Sequence, residues 1–153
     1  MKITVVTVVF NGEKYIEDSI KSFISQSHND KELIIVDGMS SDNTPQIVNK
    51  YSNYISHYIR EPDVNLYDAM NKGIKKASGD IIHLLNHDDY YNNEDVLLKV
   101  NEHFLLNNFD IIHGPMLKVD SDNNVVSKMG IKKSYLQNVL FSPFNHPTCF
   151  VKK

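Results

Sequence analysis

Two hydrophobic periods alternate along most of the chain. Ile3, Thr4, Val5, Val6, Thr7, Val8, Val9 and Phe10 form an unbroken, largely β-branched run, the pattern of a strand covered on both faces. Asn11-Gly12 ends it. Tyr15, Ile16, Ser19, Ile20, Phe23 and Ile24 then recur at the spacing of an apolar helix stripe. Leu33, Ile34, Ile35 and Val36 predict a second buried strand, closed by Asp37-Gly38. Thr44-Pro45 reads as an N-cap followed by proline at the first helical position, opening a helix that runs to about Tyr51. The same alternation predicts a strand over 55–59, a helix over 68–77, a strand over 81–85, a helix over 94–106 and a fifth strand over 110–114. Strands that alternate with helices imply parallel βαβ units: an α/β, Rossmann-like fold with a mostly parallel central sheet flanked by helices.

After residue 114 the rhythm changes. Residues 116–119 and 125–128, joined through Asp120, Ser121, Asp122, Asn123 and Asn124, predict a C-terminal β-hairpin region. A short helix over 134–141 and a last strand near 148–151 follow. Without repeat, low-complexity stretch or linker, 1–153 reads as a single domain, with 1–114 as one half. Residues 115–153 are the start of a second half, which stops at Lys152-Lys153 straight after an apolar run and so reads as incomplete.

Composition narrows the classes. With 41% hydrophobic and 23% charged residues, the 153-residue chain is ordinary globular material and not a disordered one. Sixteen basic against nineteen acidic residues give −3, with Arg60 the only arginine, which argues against nucleic acid as a partner. Cys149 stands alone, so no disulfide forms within the chain and a cytoplasmic location fits best. The opening apolar run is too short, and lacks the small-residue cleavage site, for a signal peptide. No run approaches the roughly 18 residues of a membrane span, so any membrane association is expected to be peripheral.

In open α/β sheets ligands bind outside the carboxyl ends of the strands. Here those positions hold Asn11-Gly12, then Asp37-Gly38-Met39-Ser40-Ser41-Asp42, then Arg60-Glu61-Pro62-Asp63, then Asn86-His87-Asp88-Asp89. All four sets are polar and three carry carboxylates. Crowded on one edge, such carboxylates need a cation or hydrogen-bond donors, and a hard divalent ion that completes its shell on phosphates meets that need. Each also has a plainer reading. Asp88-Asp89 fits a solvated turn with Asp89 capping the next helix, and Asp37-Gly38 fits a simple turn. His83 and His87 straddle a strand–loop junction, where four-residue spacing does not align two rings on a zinc ion. His28, His57, His103 and His113 read as surface or core residues. Lys72, Lys75 and Lys76 read as a solvated helix face, with a phosphate contact by Lys72 as the minor alternative.

Four segments in order resemble the inverting family-2 glycosyltransferases with a GT-A (nucleotide-diphospho-sugar transferase) fold. Thr7-Val8-Val9-Phe10-Asn11 with Tyr15-Ile16 resembles the family's opening strand and helix. Glu32-Leu33-Ile34-Ile35-Val36-Asp37-Gly38-Met39-Ser40-Ser41-Asp42-Asn43-Thr44 is similar to its E-x-I-V-V-D-D-G-S-x-D-x-T segment. Glu61-Pro62-Asp63, followed by Leu66-Tyr67-Asp68-Ala69-Met70-Asn71-Lys72-Gly73-Ile74, resembles a signature of a bacterial surface-polysaccharide subgroup. Asn86-His87-Asp88-Asp89 stands in the place of the D-x-D metal motif. The resemblance implies metal-assisted, inverting transfer of a sugar from a nucleotide-diphosphate donor, a UDP-sugar first, to a glycan or lipid-linked acceptor in cell-surface polysaccharide synthesis. The inner face of the cytoplasmic membrane is then one place of action. It further implies Val8, Phe10, Asn11, Asp37 and Asp88 at the nucleotide, Asp68 and Asn71 at the donor sugar, and Asp88 with Asp89 on Mg²⁺ or Mn²⁺. Residues 1–114 would be the nucleotide-sugar-binding half and 115–153 the start of the acceptor side.

The sequence departs from the pattern in three places. Gly38 replaces a second Asp, which weakens the case for uracil. Asn86 replaces the first Asp of D-x-D. The general base of an inverting transfer, usually an Asp, is missing after Asn145-His146-Pro147-Thr148-Cys149-Phe150, leaving His146 as a weak candidate. The alternative is a catalytically inactive nucleotide-sugar-binding fragment. A response-regulator-like domain fits poorly, because it needs an acidic pair where Asn11-Gly12 stands.

Overall fold

The structure is a computed structural model that describes residues 1–120, 122, 124–129 and 146–153. The helix expected over 134–141 lies outside the described residues. In chain order the elements are β1 (Ile3–Val9), α1 (Ile16–Ile24), β2 (Lys31–Asp37), α2 (Thr44–Lys50), β3 (His57–Arg60), α3 (Leu66–Lys76), β4 (Ile81–Leu84), α4 (Val96–Leu106), β5 (Ile111–His113), β6 (Met116–Val119), β7 (Val125–Met129) and β8 (Cys149–Lys152). Short 3₁₀ turns occupy Ser52–Tyr54 and His146–Thr148.

Six strands make one sheet in the order β3-β2-β1-β4-β8-β5. β3, β2, β1 and β4 run parallel, while β8 enters antiparallel between β4 and β5. β6 and β7 form a separate antiparallel hairpin. The expected mostly parallel sheet is present, and β8, one strand in from the β5 edge, is its antiparallel member.

Side chains on β1 alternate between two cores, as the two-residue period of a strand requires. Ile3, Val5 and Val9 join Ile16, Ile20, Phe23, Leu97, Phe104 and Phe150 on one face. Val6 and Val8 join Ile34, Val36, Ala69 and Met70 under α3 on the other. The second layer is thin because α3 rides close to the sheet: a Cβ at Gly73 would run into Val6.

Local chemistry moves several expected boundaries. Asn65, not Asp68, starts the third helix, its side chain accepting from the Asp68 N–H at 3.0 Å. Asn43, not Thr44, occupies the N-cap of α2; Asp42 Oδ1 takes the Thr44 N–H at 3.0 Å, which frees the Thr44 hydroxyl to accept from Gly12 N–H at 2.9 Å. The cap of α4 is Asp95, so Asp89 does not serve there. The third strand begins at His57, not at Ile55, because the Ile55 N–H is turned back onto the Ser52 carbonyl at 3.3 Å by the preceding 3₁₀ turn.

At the amino edge a buried carboxylate ties three segments together. Glu32 accepts from Ser78 N–H and Oγ, both at 2.7 Å, and from Thr4 Oγ1, and pairs with Lys2 Nζ at 2.7 Å. Burial alone would raise its carboxyl; Lys2, Thr4 and Ser78 outweigh burial and hold it at about 2.

Candidate functional site

The parallel register brings the ends of β1, β2, β3 and β4 to one edge, and the loops that follow them are laced together. Asn11 sits in the left-handed region (φ 52°), which Asn tolerates better than most residues. Its N–H goes to Ser40 Oγ at 2.9 Å, and its side-chain oxygen accepts from Ser41 N–H at 2.9 Å. Glu13 N–H reaches Asp42 Oδ2 at 3.0 Å, and Glu13 Oε2 in return takes the Asn43 N–H at 2.9 Å. The loops after β1 and β2 therefore form one rigid rim. Met39, at φ 68°, is held in a sparsely populated conformation at its tip.

Asp37 organises this rim from below. It is fully buried. Oδ1 accepts from Ser40 N–H at 2.7 Å, while Oδ2 takes the Tyr58 hydroxyl at 2.7 Å and lies 3.3 Å from Arg60 Nε. Arg60 also donates to the Ser40 carbonyl at 2.9 Å. Burial, and then the Asp37 carboxylate, push the Tyr58 phenol above its usual range. The sequence reading puts Arg60 among the strand-end residues without this partner, and Tyr58 was not singled out. The signal was the strand pairing itself, since parallel register sets Arg60 opposite Asp37.

Between the rim and α3 lies a cavity of about 380 Å³, within the size range of small-ligand pockets. Val8, Phe10, Leu66 and Ala69 give it apolar walls, and Gly38, Asp63 and His87 also line it. Phe10 is 62% exposed, an aromatic face open to the cavity mouth. A larger hollow of about 500 Å³ lies at the amino end of β2. Its only cationic lining group, Lys31, is engaged by the carbonyls of Ile24 and Gln26, and it lies away from the strand ends where ligands bind in such sheets. The smaller cavity is the candidate site.

Lys72 is not a solvated face residue. Its ammonium meets Asp63 Oδ1 at 2.7 Å, Glu61 at 3.1 Å and Asp68 at 3.2 Å, and donates to the Pro62 carbonyl at 2.7 Å. These partners, Asp63 first, hold it above the usual lysine range. The knot fastens the β3–α3 loop, and Asp63 with it, to the helix. Asp68 points into the same knot and also accepts from Val64 N–H at 3.2 Å, whereas Asn71 is exposed on α3.

The loop after β4 borders the cavity through His87. Asp88 is exposed, with no side-chain partner among the described residues, and Asp89 accepts from Asn86 Nδ2 at 2.9 Å. Among the described residues no group of three or more metal-ligating side chains occurs. Two hard carboxylates are what a Mg²⁺- or Mn²⁺-type ion takes from protein when substrate phosphates and water complete its shell, so the donor set fits such an ion. His83 is a core residue. Nδ1 meets Tyr91 OH at 2.6 Å, Nε2 meets the Pro147 carbonyl at 2.8 Å, and the ring stacks on Phe150 at 4.0 Å. Because that carbonyl can only accept, Nε2 carries the proton and Nδ1 accepts from Tyr91. His146 is placed by its backbone in the 3₁₀ turn before β8.

A sheet with helices on both faces, a laced rim and an apolar, carboxylate-bearing cavity at its carboxyl edge defines an open α/β class whose ligands bind outside the strand ends. The sequence profile of Glycosyl transferase family 2 matches residues 4–151, and the chain belongs to that family. It is 32% identical over 111 residues to the poly(ribitol-phosphate) beta-N-acetylglucosaminyltransferase TarS of Staphylococcus aureus (strain Mu50), covering 67% of this chain and 19% of TarS. An uncharacterized glycosyltransferase of Haemophilus influenzae is 27% identical over 157 residues, covering 99% of this chain and 62% of that protein. The crystal structure of S. aureus TarS 1–349 in complex with UDP-GlcNAc superposes with TM-score 0.81 at 25% identity, over 99% of this chain and 45% of that one. A Pyrobaculum calidifontis mannosyltransferase, in complex with GDP-Man and Mn²⁺, has the same fold (TM-score 0.74, 17% identity, 99% and 44% coverage). The fold is therefore GT-A, and the chain spans between 19% and 62% of the length of these curated relatives.

Proposed function

We propose that this chain forms the nucleotide-sugar-binding part of a glycosyltransferase that moves a sugar from a nucleotide-diphosphate donor to a glycan or lipid-linked acceptor of the cell surface, with inversion. The observation that carries the reading is the cavity at the carboxyl edge, apolar-walled by Val8, Phe10, Leu66 and Ala69 and bordered by the loop of Asp88 and Asp89. An apolar slot with an exposed aromatic face suits a stacked base. TarS, which shares the fold at 25% identity, has been crystallised with UDP-GlcNAc, which supports a UDP-sugar as the first donor to test.

In this reading Val8, Phe10 and Asn11 border the nucleoside and Asp88 reaches its ribose. Asp37 acts from beneath, by fixing the rim. The family resemblance puts Asp68 and Asn71 at the donor sugar, with the Asp68 carboxylate held at the edge of the cavity wall by Lys72. Asp88 and Asp89 would hold Mg²⁺ or Mn²⁺, which would stabilise the charge that builds on the departing diphosphate. The acceptor oxygen attacks the anomeric carbon from the face opposite the leaving group, the carbon–phosphate-oxygen bond breaks, and the nucleoside diphosphate leaves with the bonding pair. The acceptor proton passes to a general base, for which His146 is the candidate among this chain's residues. Residues 1–114 form the donor side and 115–153 the beginning of the acceptor side. Among the described residues no helix is long and apolar enough to cross a membrane. A lipid-linked acceptor would be met from the cytoplasm at the membrane surface.

Asp88→Asn and Asp89→Asn test the metal assignment. Each is expected to weaken Mn²⁺-dependent nucleotide binding at least tenfold while leaving the melting temperature within a few degrees. Unchanged metal-dependent affinity in both variants would reject these ligands.

A further inference from the structure

Gly38 and Asp63 meet at the floor of the candidate cavity. A Cβ built on Gly38 would lie 2.9 Å from Asp63 Oδ2 and 3.6 Å from the Phe10 ring. Position 38 thus faces the slot, and the space its side chain would fill is held by a carboxylate from a different loop. Asp63 is no stray surface acid: its side chain is only 11% exposed, and Oδ1 is fastened to Lys72 at 2.7 Å. With Oδ1 held there, Oδ2 is the oxygen left on the Gly38 side.

We infer that Asp63, from the space a side chain at position 38 would fill, reads the nucleobase, and that its Oδ2 selects bases presenting a ring N–H. The inference rests on the nucleotide-site reading above and adds its selectivity. Uracil, thymine and guanine carry a ring N–H where cytosine and adenine carry a lone pair. A carboxylate oxygen can only accept, so it binds the first group and repels the second. With Oδ1 committed to Lys72, one acceptor remains, which matches one ring N–H. Phe10, against the same floor, supplies a face on which any base can stack, so stacking contributes affinity without selectivity. The geometry also accounts for Gly38. A second carboxylate there would crowd Oδ2 sterically and electrostatically.

The test is calorimetric titration of the whole chain with two pairs, UDP against CDP and GDP against ADP, for the unsubstituted protein and for Asp63→Asn. The amide is nearly isosteric and can donate as well as accept. Lys72 keeps Glu61 and Asp68 as partners, so the loop stays fastened. The unsubstituted chain is expected to prefer the ring-N–H member of at least one pair by about 10- to 100-fold, the range of a hydrogen bond to a charged group. Asp63→Asn should bring that ratio to within a few-fold of one. A ratio that Asp63→Asn leaves unchanged, or equal binding of both members by the unsubstituted chain, overturns the inference while leaving the nucleotide site intact. Failure of all four nucleotides to bind a folded sample overturns the nucleotide-site reading, and the inference with it. Gly38→Asp supplies an independent arm. It should lower affinity alone and recover it when combined with Asp63→Gly, and a further loss in the double variant counts against the exchange of roles.

Discussion

Thr7 sits in the middle of β1 with its side chain 1% exposed, and its hydroxyl is the buried side-chain polar atom without a hydrogen-bond partner among the described residues. A buried, unsatisfied hydroxyl retains its desolvation cost, typically about 1–3 kcal/mol, with nothing to offset it. Thr7→Val keeps the shape and removes the oxygen. It should raise stability by about 1 kcal/mol in urea unfolding, with an unchanged m-value. A loss of stability would mean that the hydroxyl finds a partner in solution. Asp37 carries the opposite lesson. From the sequence it is a strand-end carboxylate followed by a glycine, a pattern that fits a simple turn, and only the family resemblance implies a nucleotide contact. The Tyr58 and Arg60 side chains that enclose it come from the next strand, and a single-sequence pattern carries no information about which strand lies alongside.

Among elements, β4 and β8 are joined by more than ladder hydrogen bonds. His83 reaches from β4 to the Pro147 carbonyl, and burial, opposed by that contact, lowers its pKa to about 4 from an ordinary 6.5. Below pH 6.5 the unfolded chain takes up a proton that the folded ring refuses, so stability falls as pH drops from 6.5 toward 4. Glu32 adds a second window. Its folded value of about 2 lies below an ordinary 4.5, so its contribution is present above 4.5 and is lost as pH falls toward 2. Each window spans roughly 2.5 pH units, a ceiling of between about 3 and 4 kcal/mol. Urea unfolding of His83→Gln between pH 7 and 4.5 should show most of the upper slope gone. A slope equal to that of the unsubstituted chain would place the titration on another histidine. These elements were legible to different degrees. The helix stripe at Ile16, Ile20 and Phe23 and the β-branched run of β1 gave α1 and β1 to within about a residue or two, because packing there follows the local period. The start of α3 was missed by two residues because Asn65 caps it through a side-chain bond that the apolar pattern does not report.

For the molecule as a whole, alternating periods were enough to predict a mostly parallel α/β sheet, and the four strand-end segments point to the edge that carries the candidate cavity. The position of β8 between β4 and β5 was not predictable from its sequence, since an apolar strand can pair with either neighbour in either direction. The Lys72 knot was equally hidden. Asp68 is the neighbour of Lys72 one turn back on α3, but Glu61 and Asp63 converge on it only because the β3–α3 loop folds back over the helix. What unites the rim, the cavity and the Asp88–Asp89 loop is a single claim: this edge binds a nucleoside diphosphate through a divalent ion. The most direct measurement is calorimetric titration of the chain with UDP in Mn²⁺ and again in chelator. Saturable one-to-one binding in Mn²⁺ that weakens at least tenfold when the metal is withdrawn is the expected result. Binding of equal strength in chelator would contradict the metal's part, and no binding of UDP, GDP or dTDP to a folded sample would contradict the site itself.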